Sequence, residues 1–435
     1  MNSLMSFSNE ILEFVLRHLK SNEIYKTSLV SRRINEIVSS STFLMGKLEV
    51  EWTRAKDYQE VPTKSRKYRR LEIKNVNEMS LSLGWFIKVH SQTLAFVSVD
   101  KCAFKMSELH FMLKQVAPTL LSLQLYNTNV LELCKMPKVE MKRLDHLVCK
   151  NSSDCDLKFM FSLVKSNKLN TLKFYGVVKE TEFTSEDLLS LVNFIEAQKA
   201  LKTVILPPVV SEMAVNYWID EKPCSIELTR IELEISDRQP ARNCPKLWEF
   251  LESQQKSLEA LRLDNFKLED KNVKQLQRSK LKKLIFNNCK FEWCKKVTKN
   301  HSIEELHFKN QTMDDFQSRD AVISMLNSCK GLKTLGIGFL FEEKEILHFP
   351  MNFLVEKLDI RSVYFLERRK YPIKSIALRD TEFMFKYHII RFVAENSQLE
   401  SLEFHKVFKE DKEFRKAMRF LVPAAVITYK NMDTY

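Results

Sequence analysis

The sequence predicts an α/β solenoid, in which short parallel strands alternate with outer helices, preceded by a small all-α unit. Three observations support this prediction. An apolar pattern with constant internal spacing recurs between residues 68 and 404. Amphipathic stretches of helical length precede several of its copies, as in residues 188–195 and 321–326. The first 45 residues lack the strand pattern and show helical periodicity instead.

The recurring pattern places apolar residues at positions one, four and six of each copy. Fourteen copies follow one another with a mean step of about 25 residues. The clear copies start at Leu120, Leu169, Leu258, Leu281, Leu332 and Leu399, and the weaker ones at Tyr68, Leu94, Leu144, Leu201, Leu228, Ile303, Val355 and Ile373. This period is typical of leucine-rich repeats, which stack into a binding surface. We therefore expect about fourteen irregular repeats over residues 68–435, closed by a last strand within 421–429.

The composition limits the possible partners and compartments. The net charge of +13 is compatible with nucleic acid, but a soluble surface with charges of both signs explains it as well, and we favour the latter. The cluster Lys64–Arg70 is the best nucleic-acid candidate; the alternative is that it solvates the junction before the repeats.

Glu10, Glu13 and Arg17 interrupt any apolar leader, and no stretch is long enough for a membrane span. We expect a cytoplasmic or nuclear protein.

The sequence offers no catalytic, cofactor-binding or metal-binding set. It contains no His-Glu-x-x-His, no phosphate-binding Gly-x-x-x-x-Gly-Lys-Ser/Thr and no Gly-x-Ser-x-Gly. The nine cysteines include no Cys-x-x-Cys pair, so we expect Cys102, Cys289 and Cys329 to be buried thiols and not zinc ligands. The chain is therefore predicted to bind a partner without a reaction or a cofactor of its own.

The N-terminal unit carries a broad apolar stripe on its first helix. Ile11, Leu12, Val15, Leu16 and Leu19 recur at helical spacing. About forty residues can hardly bury so much apolar surface alone, so a partner could cover part of it. The alternative, equally open on the pattern, is that these helices only cap the open end of the solenoid.

The segment from Phe7 to Leu19 resembles the opening of an F-box, whose motif typically reads Leu-Pro-x-Glu-Ile-Leu followed by an apolar pair and Leu. The continuation through Ser28-Leu-Val-Ser-Arg-Arg-Ile34 resembles its second half. Three positions depart from the family pattern: Ser8 replaces proline, Ser31 replaces a common cysteine and Ile34 replaces the usual tryptophan. The missing proline is expected to weaken docking, because proline presets the turn before the helix.

This resemblance, joined to the repeats, is that of an F-box/leucine-rich-repeat protein. It implies a substrate receptor of an SCF-type cullin–RING ubiquitin ligase, with residues 1–45 as the F-box, 46–67 as a linker or cap and 68–435 as the solenoid. The implied partners are the SCF adaptor subunit, through it the cullin and RING subunits, and a protein substrate. The residues implied to face or support the adaptor are Phe7, Ile11, Leu12, Val15, Leu16 and Leu19, and a Leu12→Glu variant is expected to abolish adaptor binding.

The variable positions of each strand should face the partner, since side chains alternate along a strand. The candidate substrate face comprises Tyr126, Tyr175, Arg262, His307, Lys309, Lys357, Asp359, Arg361 and Arg379. Its mixed character fits a protein partner better than a nucleic-acid groove. The basic residues of the later repeats indicate an acidic or phosphorylated partner. Two rival functions stay open: a repeat scaffold without ubiquitin chemistry, and a solenoid associated with nucleic acid.

Overall fold

The computed structural model describes most of the chain, with several connecting segments left out. The described residues are 7–53, 66–132, 134, 136–150, 160–161, 163–176, 183–234, 245–292, 300, 302–312, 316–340, 346–347, 355–361, 365–366, 371–379, 386–405 and 411–430. The chain forms two compact units: residues 1–210 with 224–226, and residues 211–223 with 227–435. Each unit has its own core and is described separately.

The first unit begins with four short helices. They are α1 (Asn9–Leu16), α2 (Ser21–Ser28), α3 (Arg32–Ser40) and α4 (Thr42–Lys47). Their buried apolar residues form a small common core: Leu12, Leu16, Ile24, Ile34, Ile37, Val38, Leu44 and Met45. Two serines cap the N-termini of α3 and α4. Ser31 Oγ accepts a hydrogen bond from Ile34 N at 3.1 Å, and Ser41 Oγ accepts one from Leu44 N at 3.2 Å. The all-α unit predicted from the sequence is therefore present.

The rest of the first unit is a stack of parallel strands with helices between them. Its strands are β1 (Glu49–Thr53), β2 (Arg70–Lys74), β3 (Phe96–Asp100), β4 (Ala103–Lys105), β5 (Ser122–Tyr126), β6 (Asn129–Leu131), β7 (Val139–Glu140), β8 (His146–Lys150), β9 (Val164–Lys165), β10 (Thr171–Tyr175) and β11 (Thr203–Ile205). The order β1-β2-β3-β5-β8-β10-β11 makes one sheet, while β4 pairs with β6 and β7 with β9. Helices α5 (Leu81–His90) and α6 (Met106–Val116) are followed by helices at Ser185–Glu196 and Pro208–Asp220, the last of which runs into the second unit.

The second unit repeats the same plan. Its strands are β12 (Arg230–Glu234), β13 (Ala260–Asp264), β14 (Lys267–Leu268), β15 (Lys283–Asn287), β16 (Lys290–Phe291), β17 (Glu305–Thr312), β18 (Thr334–Leu340), β19 (Ile346–Leu347), β20 (Lys357–Arg361), β21 (Phe365–Leu366), β22 (Ser375–Arg379), β23 (Ser401–His405) and β24 (Val426–Lys430). The sheet order is β12-β13-β15-β17-β18-β20-β22-β23-β24. Its helices span Pro245–Ser253, Asp270–Arg278, Phe316–Ser328, Lys386–Glu395 and Lys412–Leu421.

All fourteen copies of the apolar pattern form strands of these sheets, so the predicted fold class is confirmed. In β10, for example, Leu172 and Phe174 are buried while Thr171, Lys173 and Tyr175 are half-exposed. This alternation follows from the two-residue period of a strand, which turns every second side chain into the core. The predicted closing strand is β24, but β1 was not predicted: the sheet begins at Glu49, inside the segment assigned to a linker or cap.

A left-handed turn follows many of the strands. Asn75, Asn127, Asn265 and Asn288 directly follow a strand and have φ between 48° and 65°, as do Lys101 and Glu132 at 53°. Asn310, at 49°, lies within β17, where the pairing with β18 shifts register. Asparagine tolerates this region because its side chain hydrogen-bonds locally. Asn288 Nδ2 donates to Asn265 Oδ1 at 2.8 Å, so neighbouring repeats are also linked through the turn.

Small buried polar side chains connect successive repeats behind the turns. Cys102 Sγ donates to Ile73 O at 3.6 Å, and Cys289 Sγ donates to Leu263 O at 3.2 Å. Thr128 occupies the corresponding position, and its Oγ1 donates to Val99 O at 3.3 Å. Burial raises the pKa of the Cys102 thiol to about 11 and that of Cys289 to about 12, so both thiols are unreactive. Cys329 is buried as well, with a pKa raised by burial to about 11.

Candidate partner-binding surfaces

Helix α1 divides the predicted apolar stripe between two faces. Leu12 and Leu16 are only 2% and 5% exposed and belong to the helical core. Phe7, Ile11 and Val15 are 43–47% exposed and face outward. Leu19 is half-buried just after the helix, as the only one of the six predicted residues with intermediate exposure. Glutamate at position 12 would place a charge in this core, so a Leu12→Glu variant tests the stability of the helices and not an exposed docking surface.

The surface of the helical unit is unusually apolar. Eight large apolar side chains are exposed there among the described residues: Phe7, Ile11, Phe14, Val15, Tyr25, Leu29, Val30 and Phe43. We call this set the apolar F-face. Phe14, at 63% exposure, was not selected from the sequence, although it lies three residues after Ile11 on the same helix face.

Contacts between the helices bring parts of the apolar F-face together. Arg33, in the first turn of α3, donates through Nη2 to Phe7 O at 2.7 Å and through Nε to Asn9 Oδ1 at 2.9 Å. The turn that carries Val30 therefore lies beside the start of α1. At the other end of α1, the Arg17 guanidinium stacks over the Phe43 ring at 5.0 Å.

The three departures from the F-box pattern are accommodated locally. Ser8 has φ −64°, the value that proline would impose, so the turn before α1 keeps its geometry without proline. Ser31 caps α3, and Ile34 is 3% exposed in the core at the position of the usual tryptophan. These substitutions leave the four-helix arrangement intact.

Basic residues join the helical unit to the first repeats. Arg66 is buried: its Nη2 donates to Ser28 Oγ at 2.8 Å and to Asn35 Oδ1, and its guanidinium lies over the Tyr25 ring. Arg70 Nε donates to Gly46 O at 2.8 Å. Within the predicted basic cluster, Lys64 and Ser65 lie outside the described residues. The side chains of Arg66 and Arg70 thus form hydrogen bonds within the fold.

The half-exposed face of the first sheet carries a mixed set of side chains in register. Glu72, Ser98, Gln124, Val148 and Lys173 are aligned across adjacent strands. Tyr126 and Tyr175, both predicted for the substrate face, occupy the flanking column with Lys150 between them. The Tyr126 hydroxyl donates to Gln124 Oε1 at 3.0 Å, and burial raises its pKa.

The corresponding face of the second sheet aligns most of the other predicted residues. Arg262, Ile285, His307, Gly336 and Asp359 follow one another in register. Lys357, Arg361 and Arg379 lie in β20 and β22, while Lys309 flanks His307 in β17. The side chain of Arg361 lies outside the described residues. The sequence thus predicted which positions share this face.

Charged residues of this face are largely paired with one another, which the sequence did not reveal. Arg379 Nε donates to both carboxylate oxygens of Asp359, at 2.8 and 3.0 Å. Arg262 donates to Asp264 through Nε at 2.9 Å and through Nη2 at 2.7 Å. Burial raises the pKa of Asp264, although Arg262 acts in the opposite direction. Lys357, in contrast, is exposed.

His307 and Gly336 form a tight contact at the centre of this face. A Cβ atom at Gly336 would lie 2.1 Å from Nδ1 of His307, so the imidazole occupies the space that a side chain would need. Nε2 of His307 is buried and 3.8 Å from Glu305 Oε2, too far for a hydrogen bond. Burial, with Lys283 and Lys309 nearby, lowers the pKa of His307.

The described residues contain no group of three or more His, Cys, Asp or Glu side chains placed to hold a metal ion. In the same part of the chain, no helix is both long and apolar enough to cross a membrane. Residues 293–299, which include Cys294, lie outside the described part.

Comparison with known proteins gives a family match for the N-terminal helices and a distant structural likeness for most of the chain. Residues 4–45 match the profile of the F-box domain family. The crystal structure of a TLR13–ssRNA13 complex is similar, with a TM-score of 0.43 and 10% identity over 90% of this chain, which spans 64% of that protein. A likeness at this score says nothing of what this chain binds. The comparison with curated proteins found no match. The chain carries an F-box domain at residues 4–45, and strand–helix repeats of the leucine-rich type follow it.

Proposed function

We propose that the chain is the substrate-recognition subunit of an SCF-type E3 ubiquitin ligase. F-box domains bind the adaptor subunit of SCF complexes, which supports a general role as a substrate adaptor. In this proposal the apolar F-face docks on the adaptor, and the half-exposed sheet faces of the repeats bind a protein substrate. Ubiquitin transfer is carried out by the partner subunits, and the chain itself supplies no reacting group.

The observation that carries the proposal is the exposure of the apolar F-face. Eight exposed large apolar side chains on four short helices are unusual for a monomeric protein, and exposed apolar surface of this kind typically marks an interaction surface. Phe14 at 63%, Leu29 at 65% and Val30 at 77% exposure are the most accessible members. If the helices were only a cap for the repeats, this outer face would be expected to be polar.

The substrate surface is inferred from the side chains that the sheets present. Tyr126 and Tyr175 offer aromatic area with a polar tip, which is favoured in protein interfaces. The ion pairs Arg379–Asp359 and Arg262–Asp264 mean that these cations already have a counter-charge. A partner with complementary mixed charge therefore fits this surface better than the purely acidic or phosphorylated one expected from the basic residues alone.

The test is co-purification with the SCF adaptor and cullin, comparing the intact chain with one that lacks residues 1–45. The intact chain should retain both subunits, and the shortened chain should retain neither. Because Arg66 loses its partners in the shortened chain, its repeats must be shown to stay folded by circular dichroism. If neither chain retains the adaptor, the non-ligase scaffold becomes the better account.

A further inference from the structure

A cleft of about 400 Å³ lies in the first unit, between the F-box helices and the first repeats. One wall is formed by residues 39–42 and Met45. The other is formed by residues that precede strands β2, β3, β5 and β8: Lys67, Arg69, Gln92, Thr93, Ala95, Thr119 and Arg143. This volume lies within the range of about 300–1,000 Å³ that small-ligand sites occupy. The adaptor and substrate surfaces described above do not use this cleft.

The lining of the cleft carries positive charge without a counter-charge. Lys67, Arg69 and Arg143 are cationic, and no lining residue has a carboxyl group. Within the described part of the chain, none of these three side chains forms an ion pair. Elsewhere in the repeats, lysines form ion pairs with glutamates, as in Lys74–Glu72 at 2.8 Å and Lys283–Glu305 at 2.6 Å.

One carboxylate, that of Glu13, accepts a hydrogen bond from the lining, and it is already paired with an arginine. Glu13 Oε1 accepts from Ser41 Oγ at 2.8 Å on the F-box side of the cleft. The same oxygen accepts from Arg17 Nη2 at 2.7 Å, and these bonds lower the pKa of Glu13. Arg17 therefore balances the charge of Glu13, and among the described residues no carboxylate is paired with the three cations of the cleft.

Two hydroxyl groups of the lining join neighbouring repeats within one wall. Thr93 Oγ1 donates to Tyr68 O at 2.8 Å, and Thr119 Oγ1 donates to Leu94 O at 2.7 Å. These bonds fix the strand ends on which the cations stand. Because these two hydroxyl protons are already used, the charge that attracts an anion comes from the lysine and the two arginines.

We propose that this cleft binds a small phosphate-bearing anion. Arginine binds phosphate oxygens through two parallel N–H donors, and lysine adds a point charge, so the three residues suit a ligand with more than one negative charge. The anion would contact the F-box and the first repeats at once. The proposal does not depend on the ligase function, because it rests on the cleft and its charges alone.

The test is calorimetric titration of inorganic pyrophosphate into the full chain in phosphate-free buffer at about 50 mM salt, where screening is moderate. The intact chain should show saturable binding to one site. Arg69→Gln/Arg143→Gln should weaken that binding by about tenfold or more. The matched variant Lys199→Gln/Lys256→Gln removes the same charge from exposed positions outside the cleft and should keep the affinity within about twofold.

Two results would overturn the proposal. One is equal pyrophosphate affinity in the cleft variant and the intact chain, and the other is no saturable binding by the intact chain. Lys67→Gln keeps the proposal testable if the double variant fails to fold, because Lys67 is exposed and its loss cannot disturb the core. That single variant should weaken binding by about threefold, and unchanged affinity would also count against the site.

Discussion

The F-box and the repeats differ in where they leave their apolar side chains. Among the described residues, seventeen large apolar side chains are exposed, and eight of them lie between Phe7 and Phe43. In the repeats, strand residues such as Leu172 and Leu284 are at most 1% exposed. Four short helices enclose too little volume to bury all their apolar surface, whereas stacked repeats bury theirs against their neighbours.

The two regions should therefore recognise their partners through different interactions. The apolar F-face gains free energy by leaving water, so a few central side chains should dominate its affinity. The half-exposed sheet faces are polar and internally ion-paired, so they should select a partner mainly by charge complementarity.

The largest expected effect on stability is the difference between truncating a buried leucine of the repeats and truncating an exposed leucine of the F-box. Leu284→Ala should lower the free energy of unfolding of the second unit by about 2–5 kcal/mol, because it leaves a cavity in the core. Leu29→Ala should change the stability of the first unit by about 0.5 kcal/mol or less, since Leu29 is 65% exposed. Urea unfolding followed by circular dichroism measures both. Similar costs for the two variants would mean that the apolar F-face is packed and not available.

A smaller effect is expected where His307 fills the space above Gly336. Gly336→Ala should destabilise the second unit by about 1–3 kcal/mol, because the new Cβ forces the imidazole to move. Adding His307→Ala removes the clash, so the double variant should be less destabilised than the sum of the single changes. Additive costs in urea unfolding would show that the two residues do not compete for one space.

The pH dependence of His307 should be smaller still. Burial and the nearby Lys283 and Lys309 lower its pKa in the folded protein, while Glu305 and Asp359 act against this shift. The unfolded chain therefore binds a proton more readily, and stability should fall as the pH drops below about 6.5. His307→Gln should lose less stability than the intact chain between about pH 7.5 and 5.5. Equal losses would place the histidine in the same environment folded and unfolded.

Periodicity predicted the repeats because each strand position has a fixed consequence for burial. Leu284 and Phe286 could be assigned to the core from spacing alone, since every repeat uses the same two inward positions. β1 escaped prediction because Glu49–Thr53 is preceded by the F-box and has no full copy of the pattern. The asparagine after many strands, as at Asn127 and Asn265, was a usable signal for the left-handed turn.

The candidate surfaces could be predicted only in part. Positions that share a sheet face follow from register, but the pairing of Arg379 with Asp359 depends on side-chain reach across strands. In α1, Leu12 and Ile11 are both apolar, and the packing of α1 against α3 decides which one is buried. The cleft was not predicted either, because Arg69 and Arg143 are far apart in the sequence and line the same cleft only in the fold.

The central claim is that the apolar F-face binds the SCF adaptor, and calorimetric titration of purified adaptor tests it most directly. Ile11→Glu/Phe14→Glu should weaken binding by about a hundredfold or more, since both exposed side chains would be replaced by charges in a desolvated contact. The control Leu81→Glu/Phe420→Glu changes two exposed apolar residues of the repeats and should keep the affinity within about threefold. Unchanged binding by the first variant, or equal losses in both, would contradict the account.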